Sequence, residues 1–145
     1  MKHPFRKIMV ATDGSEPSMR AAAMAIEMAQ NYGAELLAVH VVDEEVLRTF
    51  CRALGKDEQQ ARETLSADAE KYLQEIRNLA EHKVSVATMV EHGTPHETLL
   101  RIAQKQQVDL IVMGKIGRRG PRRVLMGSVT ERVIDLSEIP VLVVK

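Results

Sequence analysis

A chain of 145 residues, 45% hydrophobic and 28% charged, has the size and balance of one globular domain with a core of its own. Twenty basic and twenty acidic side chains cancel, which argues against a general nucleic-acid binder and makes any electrostatic message local. The single cysteine, Cys51, excludes an internal disulfide and suits a reducing compartment, and no apolar run approaches the roughly 18–20 residues that span a bilayer.

Lys7-Ile8-Met9-Val10-Ala11-Thr12 predicts a first strand, ended by the turn cluster Asp13-Gly14-Ser15. The run is too short for the apolar region of a signal peptide, so a cytoplasmic location is expected. Ser15 ahead of Glu16-Pro17 predicts a helix start, and Met19, Ala22, Ala23, Ile26 and Ala29 recur at helical spacing until Gly33. Residues 35–42 are almost continuously apolar, as in a parallel strand covered on both faces. The stretch 43–56 reads as a loop with a helical turn. From 57 to 81, Ala61, Leu65, Ala69, Tyr72, Leu73 and Ile76 mark one long amphipathic helix.

A third strand is expected over 84–90, with Glu91-His92-Gly93-Thr94-Pro95 as the turn after it. Pro95 suits the first position of the next helix, whose buried stripe is Leu99, Leu100, Ile102 and Ala103. Residues 109–113 form a fourth strand, 128–136 a fourth helix and 140–144 a fifth strand. The order βαβαβαβαβ predicts a single α/β domain over 1–145, a doubly wound parallel sheet with right-handed crossovers and helices on both faces. In such folds a ligand sits beyond the carboxyl ends of the strands, where the winding reverses. The segment after strand one and the segment after strand four then flank one crevice.

The second of those segments is the most informative. Gly114-Lys115-Ile116-Gly117 follows the fourth strand, and nine residues later Gly127-Ser128 opens a helix. Glycines at a strand end, followed by Gly-Ser at a helix N-terminus, bring backbone amides close to a phosphate. The spacing is neither that of a Walker-type phosphate loop nor the dinucleotide fingerprint after a first strand. The intervening residues hold Arg118, Arg119, Arg122 and Arg123 and no acid, an anion-seeking excess. Asp13, at the first strand end, suits ribose hydroxyls or a magnesium ion, and also suits an ordinary turn. The aromatic residues Phe5, Tyr32, Phe50 and Tyr72 all lie far from the arginines in sequence, so single-stranded nucleic acid is the weaker partner. His92 and His96 are separated by Gly93-Thr94-Pro95, which denies them helical metal-ligand geometry, and His40 reads as a structural residue within its strand. No base can be named for Ser15 or Ser128.

Gly114-x2-Gly117-x9-Gly127-Ser128 resembles the ATP-binding signature of the universal stress proteins, specifically the small single-domain type. The resemblance spans the chain: residues 7–15 are similar to the family's opening strand and loop, 37–43 to its second strand, 93–95 to its mid-chain turn and 140–144 to its closing strand. It implies strand order 3-2-1-4-5 and a homodimer joined through 141–144. It also implies an adenine-nucleotide site made by Ala11, Thr12, Asp13, Val41, Met113, Gly114, Gly117, Arg118, Arg119, Gly127, Ser128 and Val129. Asp13 and the backbone near Ala11 would face ribose and adenine, and Val41 would bond adenine through its backbone. Gly114 would lie near the ribose and Gly117 near the phosphates. Gly127, Ser128 and Val129 would hold the phosphate chain through amides and a hydroxyl. Two departures, Lys115-Ile116 and Gly120-Pro121, bear on affinity and on selectivity among ATP, ADP and AMP. The function implied is an ATP-binding stress regulator, with Mg2+ held mainly by the phosphates. The alternatives are a slow ATPase or an interaction adaptor using the basic loop 118–123.

Overall fold

The computed structural model describes residues 4–116 and 126–145. Five strands, β1 (Lys7–Ala11), β2 (Glu35–Asp43), β3 (Val86–Gly93), β4 (Leu110–Gly114) and β5 (Val141–Val144), form one parallel sheet in the order β3-β2-β1-β4-β5. The expected fold class and strand order are both present. Among the described residues, five helices connect the strands: α1 (Glu16–Tyr32), α2 (Glu44–Leu54), α3 (Glu58–Ala80), α4 (Pro95–Lys105) and α5 (Ser128–Leu136).

Side chains alternate across the sheet with period two, so each strand feeds two cores. Ile8, Val10, Leu36, Ala38, Leu110 and Val112 pack beneath α1 and α3, against Ala21, Ala25, Leu73 and Ile76. Met9, Leu37, Val39, Ile111 and Met113 face Leu99, Ile102 and Val133 of α4 and α5. Burial on both faces accounts for the unbroken apolar runs. The alanines along α1 remove side-chain bulk and let that helix sit close to the sheet. At the opposite end of the sheet, the Asp109 carboxylate accepts from the amides of Arg6 (2.8 Å) and Lys7 (3.0 Å), which fixes β1 beside β4.

Two elements differ from the sequence reading. The stretch read as a loop with a helical turn is the 11-residue helix α2, so the crossover from β2 to β3 carries two helices. Its N-cap is Asp43, whose side chain accepts from the amides of Glu45 (3.0 Å) and Val46 (3.4 Å), and Gly55 ends it. Arg62 of α3 then pairs with Glu44 at 3.0 Å and joins the two helices. The third strand starts later and ends later than expected. Because β2 continues to Asp43, it pairs Val41 with Glu91, Val42 with His92 and Asp43 with Gly93, drawing the expected turn residues into the sheet.

β1 pairs with β2 on one side and β4 on the other, so the winding reverses there. At that place the backbone of β4 meets the first turn of α1. A Cβ on Gly114 would lie 2.8 Å from the Pro17 carbonyl carbon and 2.9 Å from the Ser18 nitrogen. Both are backbone atoms with little freedom to move. Gly114→Ala is therefore expected to destabilise the protein by about 1–3 kcal/mol, measured by urea unfolding. Unchanged stability would show that this contact has slack.

Candidate functional site

The loop that leaves β1 is held by its own hydrogen bonds. Thr12 is buried, and its amide donates to the Val39 carbonyl (2.9 Å). The Ser18 hydroxyl donates to the Ser15 carbonyl (2.8 Å), so its only proton is committed, and the Thr12 hydroxyl must donate across 3.1 Å to Ser18 Oγ. Thr12 Oγ1 in turn accepts from the Gly14 amide (3.2 Å), and Asp13 Oδ1 accepts from the Ser15 amide (3.0 Å). Asp13 thus fills the ordinary turn role as well as facing the cleft described below. Ser15 caps α1 by accepting from the Ser18 amide at 3.2 Å. Gly14 takes φ +79°, and a Cβ there would overlap the Tyr72 ring, so α3 closes directly over the turn.

Beyond β4 the chain reaches α5 through bonds that fix the helix start. The Lys115 amide donates to the Val144 carbonyl (2.7 Å), and the Gly127 amide donates to the Lys115 carbonyl (2.8 Å). The Thr130 hydroxyl donates to the Gly114 carbonyl (2.9 Å). The first intrahelical bond of α5 runs from the Glu131 amide to the Gly127 carbonyl at 2.9 Å. The amides of Ser128, Val129 and Thr130 therefore lie in the first turn, where helix geometry supplies no partner and partial positive charge collects.

Val41 is placed by strand geometry. In a parallel strand each residue turns both backbone groups toward one neighbour, and alternate residues turn toward alternate neighbours. The Val39 carbonyl bonds to Thr12, so the Val41 amide and carbonyl face the same side, where β1 has already ended.

These parts enclose one cleft of about 570 Å3 over the carboxyl ends of the strands, within the roughly 300–1,000 Å3 of small-molecule sites. Of the residues singled out from sequence, Ala11, Thr12, Asp13, Val41, Met113, Gly114, Gly127, Ser128 and Val129 all line it. Gly117, Arg118 and Arg119, with Arg122 and Arg123, lie outside the described residues. Two observations bear on the expected glycine roles. The first turn of α1 by itself leaves no room for a Cβ at Gly114. The Gly127 amide is already bonded to Lys115, and its φ of −68° is open to any residue. At this end of the cleft, Ser128 and Val129 carry the first-turn amides for which the helix supplies no partner.

Sequence reasoning missed the wall opposite α5. Val46 of α2, with Leu65, Asp68 and Tyr72 of α3, closes that side. Tyr72, distant in sequence from the glycine segment, lines the same cleft as Ile116 and Met126. Its signal was present in the apolar stripe of α3. His40 is both structural and a cleft residue. Its ring stands edge-on to Tyr72, with centroids 5.6 Å apart, and its Nδ1 bonds to the Thr12 carbonyl at 2.7 Å. Among the described residues no group of three or more His, Cys, Asp or Glu side chains could hold a metal ion.

Burial lowers the His40 pKa from its ordinary 6.5, against the raising effects of the Thr12 carbonyl, Asp13 and Asp68. Below pH 6.5 the unfolded chain takes up this proton before the folded chain does. Stability from the neutral imidazole is thus complete above 6.5 and is lost as the pH falls below it. Urea midpoints measured from pH 7 to pH 5 are expected to fall less steeply in His40→Gln than in the wild type. Equal slopes would remove His40 from the acid sensitivity.

Comparison with known proteins agrees with this architecture. A model of the universal stress protein family matches residues 4–145. Universal stress protein MJ0531 of Methanocaldococcus jannaschii is 39% identical over 143 residues, covering 97% of this chain and 82% of that protein. The solved structure of protein MJ0577 from the same organism superposes with a TM-score of 0.81 at 30% identity, over 99% of this chain and 97% of that one. Universal stress protein UspA from Lactobacillus plantarum gives 0.76 at 26% identity, over 97% and 98% of the two chains. The chain belongs to the universal stress protein family.

Proposed function

We propose that this protein binds ATP in the cleft and serves as a nucleotide-responsive regulator in the stress response. One observation carries the binding: the first turn of α5, whose amides have no helical partner, and Val41, whose backbone edge lies beyond the end of β1, line the same cavity. The Val41 amide and carbonyl match the acceptor and amino donor on the edge of adenine. Asp13 lies where a ribose would pass, and Ser128 and Val129 offer amides and a hydroxyl to the phosphates. Mg2+ is carried by the phosphate oxygens. Arg118 and Arg119 are assigned a tuning role from sequence alone. Membership of the universal stress protein family supports the regulatory part. The same reading pairs two copies along β5, an edge strand whose four apolar residues are each only half-buried.

Calorimetric titration with Mg-ATP tests the site. The wild type is expected to bind, and Ser128→Asp to lose at least about tenfold in affinity, because a carboxylate would meet the phosphates. Ser128 is exposed and an acid suits a helix start, so the melting temperature should hold. No heat from the wild type at millimolar ATP would overturn the proposal.

A further inference from the structure

The cleft differs in hydrogen-bonding character from one end to the other. The α5 end presents donors. The end formed by β2, α2 and α3 pairs apolar surface from Val46, Leu65 and the Tyr72 ring with two acceptors. The first follows from a proton count. A carbonyl oxygen carries no hydrogen, so the 2.7 Å contact between His40 Nδ1 and the Thr12 carbonyl requires the proton on Nδ1. In the neutral ring Nε2 is then a lone-pair acceptor. Burial of the ring favours that neutral form. The second acceptor is Asp68, half-buried on α3 where it lines the cavity. No described residue forms a hydrogen bond or ion pair with it, and its charge acts on the neighbouring His40. A carboxylate on a cavity wall that bonds none of the described residues is suited to an N–H or O–H donor supplied by a ligand.

We infer that Asp68 is a specificity residue of the base end, accepting from the exocyclic amine of a 6-aminopurine and rejecting 6-oxopurines. The inference rests on the proposed nucleotide site and adds to the Val41 backbone a second group that selects for the same amine. An amino group carries two N–H donors, one for the Val41 carbonyl and one for Asp68. A 6-oxo group in the same place sets lone pairs against a carboxylate, and the ring N1–H of such a base opposes the Val41 amide. Tyr72 and Leu65 supply the flat apolar wall that holds a purine ring in register with these groups.

Asp68→Asn separates selectivity from fold. Its carboxamide has nearly the shape of the carboxylate but turns either an oxygen or an NH2 group toward the ligand. Affinities for ATP and ITP are measured by calorimetry on both proteins, with melting temperatures recorded alongside. The wild type is expected to prefer ATP by at least about tenfold, the scale of one hydrogen bond to a charged group. In Asp68→Asn that ratio is expected to shrink at least about fivefold, through weaker ATP binding, tighter ITP binding or both. A merely structural role would weaken both nucleotides together. Equal affinity of the wild type for ATP and ITP, or an unchanged ratio in the variant, overturns the Asp68 assignment while ATP binding stands. Failure of the wild type to bind either nucleotide overturns the underlying site and the assignment with it.

Discussion

The last residue of β4 lies against the first turn of α1 so closely that no Cβ fits between them. That contact holds the end of β4 and the loop leaving β1 on opposite sides of the crevice made by the winding reversal. The network from Thr12 through Ser18 to Ser15 hangs from the same turn of α1, so the position of Asp13 depends on it. On the other side, Thr130 bonds the Gly114 carbonyl and Gly127 bonds the Lys115 carbonyl, which ties the start of α5 to the same point. Both halves of the cleft therefore take their placement from one tight backbone approach.

A protein with no net charge can still present an electrically differentiated cleft. The α5 end offers backbone dipoles, which cost no burial of a formal charge and suit a polyanion. The α3 end offers lone pairs among apolar walls, which suit the donor-bearing edge of a heteroaromatic ring. The proposed ligand has these two ends in this order. His40 links them indirectly: its hydrogen bond holds the Thr12 carbonyl, and its edge-on contact with Tyr72 connects the β1 loop to α3.

The sheet was readable from sequence because burial on both faces leaves short apolar runs separated by helical periodicity. β1, β4 and α5 show this most clearly, since glycine or capping residues mark their ends. α2 escaped because its pattern is short and only Leu47 is fully buried, although Asp43 as cap, apolar residues at 46, 47, 50, 51 and 54, and the stop at Gly55 together spell a helix. The end of β3 escaped because its length is set by pairing with β2, a partner that local sequence does not name. The donor side of the cleft follows from contiguous motifs, and of these Gly114, Gly127, Ser128 and Val129 line it. The acceptor side does not, because Asp68 and Tyr72 reach the cleft only through the packing of α3 over Gly14. The need for glycine at 114 was visible, but its cause was not: the neighbour that crowds it is a helix nearly a hundred residues earlier.

Amide hydrogen exchange at the start of α5, followed with and without saturating Mg-ATP, tests the central claim most directly. Ser128 and Val129 are expected to exchange much more slowly with the nucleotide present. The Gly127 amide, already bonded to Lys115, should change far less. Binding of ATP with no added protection at Ser128 and Val129 would contradict the assignment of the phosphates to this helix end.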